Sequence, residues 1–294
     1  MVAARLVLYI AVLGLFGTAA QALYAPAAFA LARPRGALIG AAIVGLAATA
    51  IGLGLLAAEM TGEALDALDP GSVAGVAIGT GAGLAILTRF AALAVALAVL
   101  AHRPNLGKAR AVVVIVLAGV AASSLAWGGH AAAGEGAIGL ARLAADVLHL
   151  LAAGIWLGAL LVFLRLILSD ARKDAGAIQA SLARFAGVGS GVVAVLLLTG
   201  VVNLLLTVGW AQLASLTATL WGRLLLIKLA LFAAMLALAA LNRFQLTPAL
   251  VDSAPEPPAA LTRLRISLLA ESGFAVLVIA LVAWLGTLSP LPTP

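Results

Sequence analysis

Asp146 and His149 stand three residues apart inside an apolar run, so a helix there puts a carboxylate and an imidazole on one face. His130 precedes them, just after Trp127-Gly-Gly. A short connection between the runs carrying His130 and His149 makes the two neighbours, so the imidazoles can converge. Imidazole nitrogens with a carboxylate suit copper(II), zinc or nickel, and His130, Asp146 and His149 are the candidate metal ligands. Spacing alone leaves two readings open, a metal site and ordinary packing. The chain has no Cys, which removes thiolate ligands, disulfides and CxxC redox chemistry. Its three Met, at positions 1, 60 and 235, are too few for a sulfur-lined path. His102 begins a basic loop, His102-Arg-Pro-Asn, and reads as a solvated residue.

Three further ionisable residues, Arg89, Lys228 and Glu271, interrupt apolar runs. Each costs about 2.5–3.5 kcal/mol at mid-membrane on insertion scales, so each needs a partner or a task. Arg89, Lys228, Asp146 and His149 fall at similar depth. The expectation is a charge-compensated cluster in which Asp146 pairs with Lys228 or Arg89, although Lys228 can also snorkel. Glu271 lies nearer the other side, about two turns from Arg263 and Arg265, where it either pairs with a cation or joins a proton relay.

The elements that must hold these residues follow from composition. Of 294 residues, 65% are hydrophobic and 10% charged, with a mean hydropathy of +1.22. A soluble domain carries roughly a quarter charged residues, so this chain uses lipid as its solvent. Runs of this length in lipid are helices, because the backbone must satisfy its own hydrogen bonds. The reading is an all-α polytopic membrane bundle with eight spans: Leu6–Leu31, Ala37–Ala58, Val76–Ala101, Ala111–Trp127, Leu140–Leu168, Leu182–Gly209, Leu220–Phe244 and Ile266–Leu288. It forms one membrane domain, four spans in residues 1–128 and four in 129–294.

The net charge of +6 is not a nucleic-acid patch, since the basic residues lie in short loops. Twelve Lys and Arg follow the odd-numbered spans: Arg33, Arg35, Arg103, Lys108, Arg110, Arg165, Arg172, Lys173, Arg184, Arg243, Arg263 and Arg265. The other side has Arg5 and Arg142, together with Glu59, Glu63, Asp66, Asp69, Glu135 and Asp146. The positive-inside rule then puts both termini outside. Trp127, Trp210, Trp221 and Trp284 fall near the outer ends, as an interfacial belt would. The first span resembles a signal peptide in its basic start and small residues at Ala28–Ala30. Its length and the following Arg33 and Arg35 favour a retained helix.

Thr80-x-x-Gly83-x5-Arg89 echoes Thr219-x-x-Gly222-x5-Lys228, in spans of the same direction, which is either a parallel repeat or chance. Gly36–Gly40, Gly154–Gly158 and Gly187–Gly191 each fit close helix packing. No GxxxxGK[ST] loop and no nucleophile–base pair on a common loop is present, and an enzyme is not expected.

Several segments resemble the copper resistance protein D family of bacterial inner-membrane proteins. They are Gly129-His130, Asp146-Val-Leu-His149 running on to Trp156-Leu-Gly158, Arg184-Phe185, and Thr199-Gly200-Val-Val-Asn203. Further on come Thr219-Leu-Trp221-Gly222-Arg223 through Lys228, Leu241-Asn242-Arg243, Leu269-Ala-Glu271 and Ala283 through Pro290. Trp221 stands where that family commonly has Tyr. The resemblance covers about the last 165 residues, the first hundred matching in helix count and Arg89 alone. It implies copper handling at the inner membrane, most simply a permease from periplasm to cytoplasm, with a copper ion bound first at His130, His149 and Asp146. It also implies a separate periplasmic CopC-like partner, which the acidic stretch Glu59, Glu63, Asp66, Asp69 would help to dock; a plain solvated loop is the alternative. Two rivals stay open. A single b-type haem held by His130 and His149 would make an electron-transfer protein, and a metal site without a path would make a copper-enzyme assembly factor.

Overall fold

The computed structural model describes residues 1–102, 107–128, 136–168, 175–252 and 257–289. Every regular element among them is helical, and eight helices are long and apolar enough to cross a membrane. In chain order the helices are α1 (Val2–Tyr24), α2 (Pro26–Ala32), α3 (Arg35–Thr61), α4 (Pro70–Gly79), α5 (Gly81–His102) and α6 (Lys108–Ser123). They continue as α7 (Gly136–Leu168), α8 (Ala175–Val208), α9 (Leu220–Leu241), α10 (Thr247–Asp252) and α11 (Pro257–Leu285). The candidate spans are α1, α3, α5, α7 and four others: Lys108–Trp127, Ile178–Val208, Leu220–Ala249 and Leu261–Leu285.

Two expected spans are broken, each for a local reason. The first ends at Tyr24, because Pro26 has no N–H to continue the ladder and opens α2 instead. Arg33 then turns the chain in a left-handed conformation (φ 45°) toward α3. The third span divides at Thr80, whose extended backbone separates α4 from α5. The Thr80 hydroxyl accepts the Gly83 N–H at 2.9 Å, an N-cap that restarts the helix. Thr219 does the same for Gly222 at 3.0 Å and opens α9. Gly83 and Gly222 are both seated against backbone carbonyls of the preceding segment, where a Cβ would collide. The sequence echo therefore coincides with two similar helix starts, each followed nine residues later by a cation, Arg89 or Lys228.

α1 lies at the centre. It packs against α3, α6, α7 and α11, and it supplies Val12, Leu13, Leu15, Phe16 and Ala19 to the core. The closest approach is at Gly17, which meets Gly154 and Gly158 of α7 so tightly that a Cβ on Gly17 or Gly158 would overlap the partner backbone. Gln21, fully buried, donates to the Gly158 carbonyl at 3.0 Å and fixes this crossing. The other two glycine pairs do not pack within the chain: Cβ atoms at Gly36, Gly40, Gly187 and Gly191 would meet open space. Their spacing matches close packing, but those helix faces turn away from the neighbouring helices.

The acidic end of the bundle carries the α3–α4 connection. There Asp69 caps α4 by accepting the Ser72 N–H at 3.1 Å, and Glu63 accepts the Asp69 N–H at 3.2 Å. Two of the four candidate docking acids thus hold their own loop together. Arg223 also sits at this end, donating to the Thr217 carbonyl at 3.0 Å, so the Lys/Arg asymmetry is twelve against three. The opposite, basic end carries Arg35, which donates to the carbonyls of Leu100 and Ala101, and Arg165, which donates to that of Ala32.

Candidate functional site

α7 carries Arg142, Asp146, His149, Ala153 and Trp156, spaced by three or four residues along one stripe. That stripe faces α8, α9 and α11 across a cavity of about 330 Å³ near the acidic end. Asp146, His149 and Lys228 all line it, with Arg142, Asn203, Thr207, Tyr9 and Trp221. The sequence placed Asp146, His149 and Lys228 together, and the structure does the same. His130, the remaining proposed ligand, lies outside the described residues. Among the described residues no three His, Cys, Asp or Glu converge on a common metal position.

Arg89 does not join this group. Its guanidinium is buried toward α6, donating Nε–H to the Ser124 hydroxyl and Nη2–H to the Ser124 carbonyl, both at 3.0 Å. It lines a separate cavity of about 130 Å³ with Arg5, Tyr9 and Glu59. The partner of Arg89 is thus a helix end rather than a carboxylate. Among the described residues no hydrogen bond or ion pair joins Asp146 to Arg89 or Lys228. Asp146 and Lys228 face each other across the cavity, and the other cation acting on Asp146 is Arg142, one turn earlier on α7.

The tautomer of His149 follows from its neighbours. Its Nδ1 lies 2.9 Å from the Thr199 hydroxyl. That hydroxyl has a single proton and donates it to the Val195 carbonyl at 2.6 Å. Thr199 is left as acceptor, so Nδ1 carries the hydrogen and Nε2 carries the lone pair. A histidine anchored through one nitrogen with the other free is the arrangement that ligates a metal. Gly200 packs beside the ring: a Cβ there would sit 3.8 Å from its Cε1, an ordinary van der Waals contact. Thr199 belongs to the segment that carried the resemblance, yet its part in orienting His149 is not readable from spacing. Asn203, one turn further on α8, adds a buried Oδ1 with no hydrogen-bond partner among the described residues.

Beneath this cavity lies a second, of about 260 Å³, mostly apolar, with His149 and Lys228 in its upper wall and Trp156, Phe232 and Met235 deeper. A third, of about 310 Å³, continues toward the basic end past Trp156 to Glu271, Asn242, Arg243 and Ser190. His149 and Lys228 are shared walls of the first two cavities, and Trp156 of the last two. Trp156 stacks edge-on against Phe232 with ring centroids 6.1 Å apart.

Glu271 does not reach Arg263 or Arg265. It is 3% exposed, and its carboxylate accepts Trp156 Nε1–H at 2.8 Å and Asn242 Nδ2–H at 3.0 Å. Sequence reasoning assigned no role to Trp156 or Asn242. The available signal was Trp156 itself: it lies two turns beyond His149 on the same face, and a buried indole N–H requires an acceptor.

Comparison with known proteins identifies the family. Residues 1–140 match the family described as copper resistance protein D-like, N-terminal domain, and residues 179–285 match copper resistance protein D. The first match corrects the expectation that the first hundred residues share little with the family. Segment 141–178, with Asp146, His149 and Trp156, falls between the two matched ranges. Copper resistance protein D of Pseudomonas syringae pv. tomato is 36% identical over 98% of this chain and 96% of its own length. Inner membrane protein YebZ of Escherichia coli is 38% identical over 46% of this chain and 42% of its own. No solved structure matches. With a relative aligned along nearly the whole chain and family matches in both halves, this multi-pass membrane protein belongs to the copper resistance protein D family.

Proposed function

We propose that the chain is a copper permease of the bacterial inner membrane, taking copper from the periplasm at its acidic end and releasing it to the cytoplasm at its basic end. The observation that carries this reading is the series of three cavities through α7, α8, α9 and α11, with His149 between the first two and Trp156 between the last two. A copper-storing or assembly protein needs a site but not a row of cavities leading away from it. Orientation rests on the Lys/Arg asymmetry.

Copper is the cargo. The free Nε2 of His149 serves as first ligand, with His130 and Asp146 completing the entry site. The first cavity is lined by one carboxylate, Asp146, against two cations, Arg142 and Lys228, so it holds a metal cation weakly. Weak retention suits passage, because conduction needs binding that permits both entry and release. A separate periplasmic CopC-like protein delivers copper at the acidic end, where Glu59 and Asp66 remain available for docking.

The test is copper accumulation in cells lacking other importers. Expression of the protein raises cellular copper, His149→Ala removes the rise at equal protein levels, and His102→Ala retains it. Copper binding without any rise in accumulation would make the chain an assembly factor instead. A b-type absorption spectrum in the purified protein would favour the haem reading.

A further inference from the structure

Glu271 is buried at 3% exposure, and both of its hydrogen bonds come from neutral donors, Trp156 and Asn242. Among the described residues no cation pairs with it. Arg243 lines the same cavity but directs its Nη1 to the Ala186 carbonyl and the Ser190 hydroxyl. A carboxylate so placed lacks a compensating positive charge.

Two further buried side-chain oxygens, one on its hydrogen-bond partner Asn242 and one a turn away on α11, also lack partners among the described residues. Asn242 is 6% exposed, and with its Nδ2 committed to Glu271 its Oδ1 has no partner among the described residues. Ser267 is 5% exposed, and its Oγ also has no partner among the described residues. Ser267 lies one turn before Glu271 on α11, and helical side chains lean toward the N-terminus, so the Glu271 side chain is directed over it. Asn242 opens a π-helical turn, Asn242–Leu246, whose irregular backbone is fixed by the Thr247 hydroxyl donating to the Asn242 carbonyl at 2.7 Å. The third cavity, about 310 Å³, gives access to both Asn242 and Glu271.

We propose that Glu271, Asn242 and Ser267 form a binding site for a hard monovalent cation of the sodium class, distinct from the copper-handling group at His149. The ligand set is all oxygen, which selects hard cations and offers copper neither imidazole nor sulfur. One carboxylate balances one positive charge; a divalent ion would leave a net charge buried. A proton would neutralise Glu271 but supplies a single donor, whereas a cation can be held by several oxygens at once. Discontinuous or distorted membrane helices that supply oxygen ligands are a general way of holding such ions. The existence of the site is independent of the copper reading; its use as a coupling ion would rest on it.

The experiment uses the purified full-length chain in detergent, with copper removed by chelation. Thermal unfolding is followed in sodium chloride and in N-methyl-D-glucamine chloride at equal ionic strength. The unfolding midpoint should rise saturably with sodium and stay flat with the organic cation. Ser267→Ala should raise the half-saturating sodium concentration about tenfold, as loss of one ligand would. Glu271→Gln should abolish the sodium response. Where Glu271→Gln does not fold, Ser267→Ala carries the test alone. Equal midpoints in the two salts would overturn the proposal. So would a midpoint that follows pH but not sodium, which assigns Glu271 to a proton, or an unchanged half-saturation in Ser267→Ala. Copper transport is not read in this assay, so its outcome and that of the permease reading are separable.

Discussion

Thr199→Val tests how His149 is held, because it keeps the shape of the side chain and removes one oxygen. In the native protein the Thr199 hydroxyl accepts Nδ1–H at 2.9 Å and spends its own proton on the Val195 carbonyl at 2.6 Å. The variant leaves the Nδ1–H without an acceptor, which costs about 1–3 kcal/mol for a buried donor. The imidazole can recover part of this by turning or by moving its proton to Nε2, and either change removes the lone pair from the cavity. Loss of such an orienting partner weakens metal affinity by about 10- to 100-fold, or about 1.4–2.7 kcal/mol. The Val195 carbonyl loses only a supplementary bond, because the helix ladder still serves it. The assay is competition for copper between the purified protein and a chromophoric chelator, with the unfolding midpoint measured alongside. Thr199→Ser, which restores the hydroxyl, should return affinity to within about twofold of wild type. Wild-type affinity in Thr199→Val would refute the assigned tautomer, and so would a Thr199→Ser variant as weak as Thr199→Val.

Other outcomes follow from the same geometry. In double-mutant cycles, Asp146→Asn with Lys228→Met should show a coupling above about 0.5 kcal/mol, whereas Asp146→Asn with Arg89→Met should be additive within about that amount. The reverse pattern would restore Arg89 as the partner of Asp146. Gly17→Ala should lower the amount of folded protein in the membrane by forcing α1 and α7 apart, at a cost of about 1–3 kcal/mol, while Gly187→Ala, facing open space, should be neutral or stabilising. Equal yields for the two glycine variants would contradict the packing described. Reporters fused after Pro294 and within Glu63–Asp69 should read as periplasmic, and those within Arg172–Asp174 as cytoplasmic. A cytoplasmic C-terminus would reverse the proposed direction of flow. Copper affinity should fall as pH is lowered, since protons compete for the neutral imidazole that binds metal; affinity rising toward acid pH would exclude an imidazole ligand.

The sequence was most informative where one physical term dominates. Eight apolar runs long enough to cross lipid as helices, and too long for barrel strands, mark eight spanning helices. Windows of apolar residues do not register a single missing N–H, so the ends at Tyr24 and Thr80 went unread although Pro26 and the Thr80–Gly83 cap are visible as letters. Asp146 and His149 share a face because their relation is local. The contacts of Glu271 are not local: Trp156 is 115 residues away and Asn242 is 29. Nor could charge counting have found Ser124 as the acceptor for Arg89, since a serine at the end of an apolar helix carries no formal charge. Position along the helices was legible for Asp146, His149 and Lys228, but rotation about the helix axis and the pairing of helices were not.

The central claim is that copper crosses the bilayer through the cavities that meet at His149. The direct measurement is isotopic copper flux into proteoliposomes containing wild-type protein, His149→Ala or His102→Ala at equal incorporated amounts. The account predicts flux for wild type and His102→Ala, and flux at the level of empty liposomes for His149→Ala. Equal flux for His149→Ala and wild type would contradict it, as would the absence of flux from a wild-type protein that still binds copper.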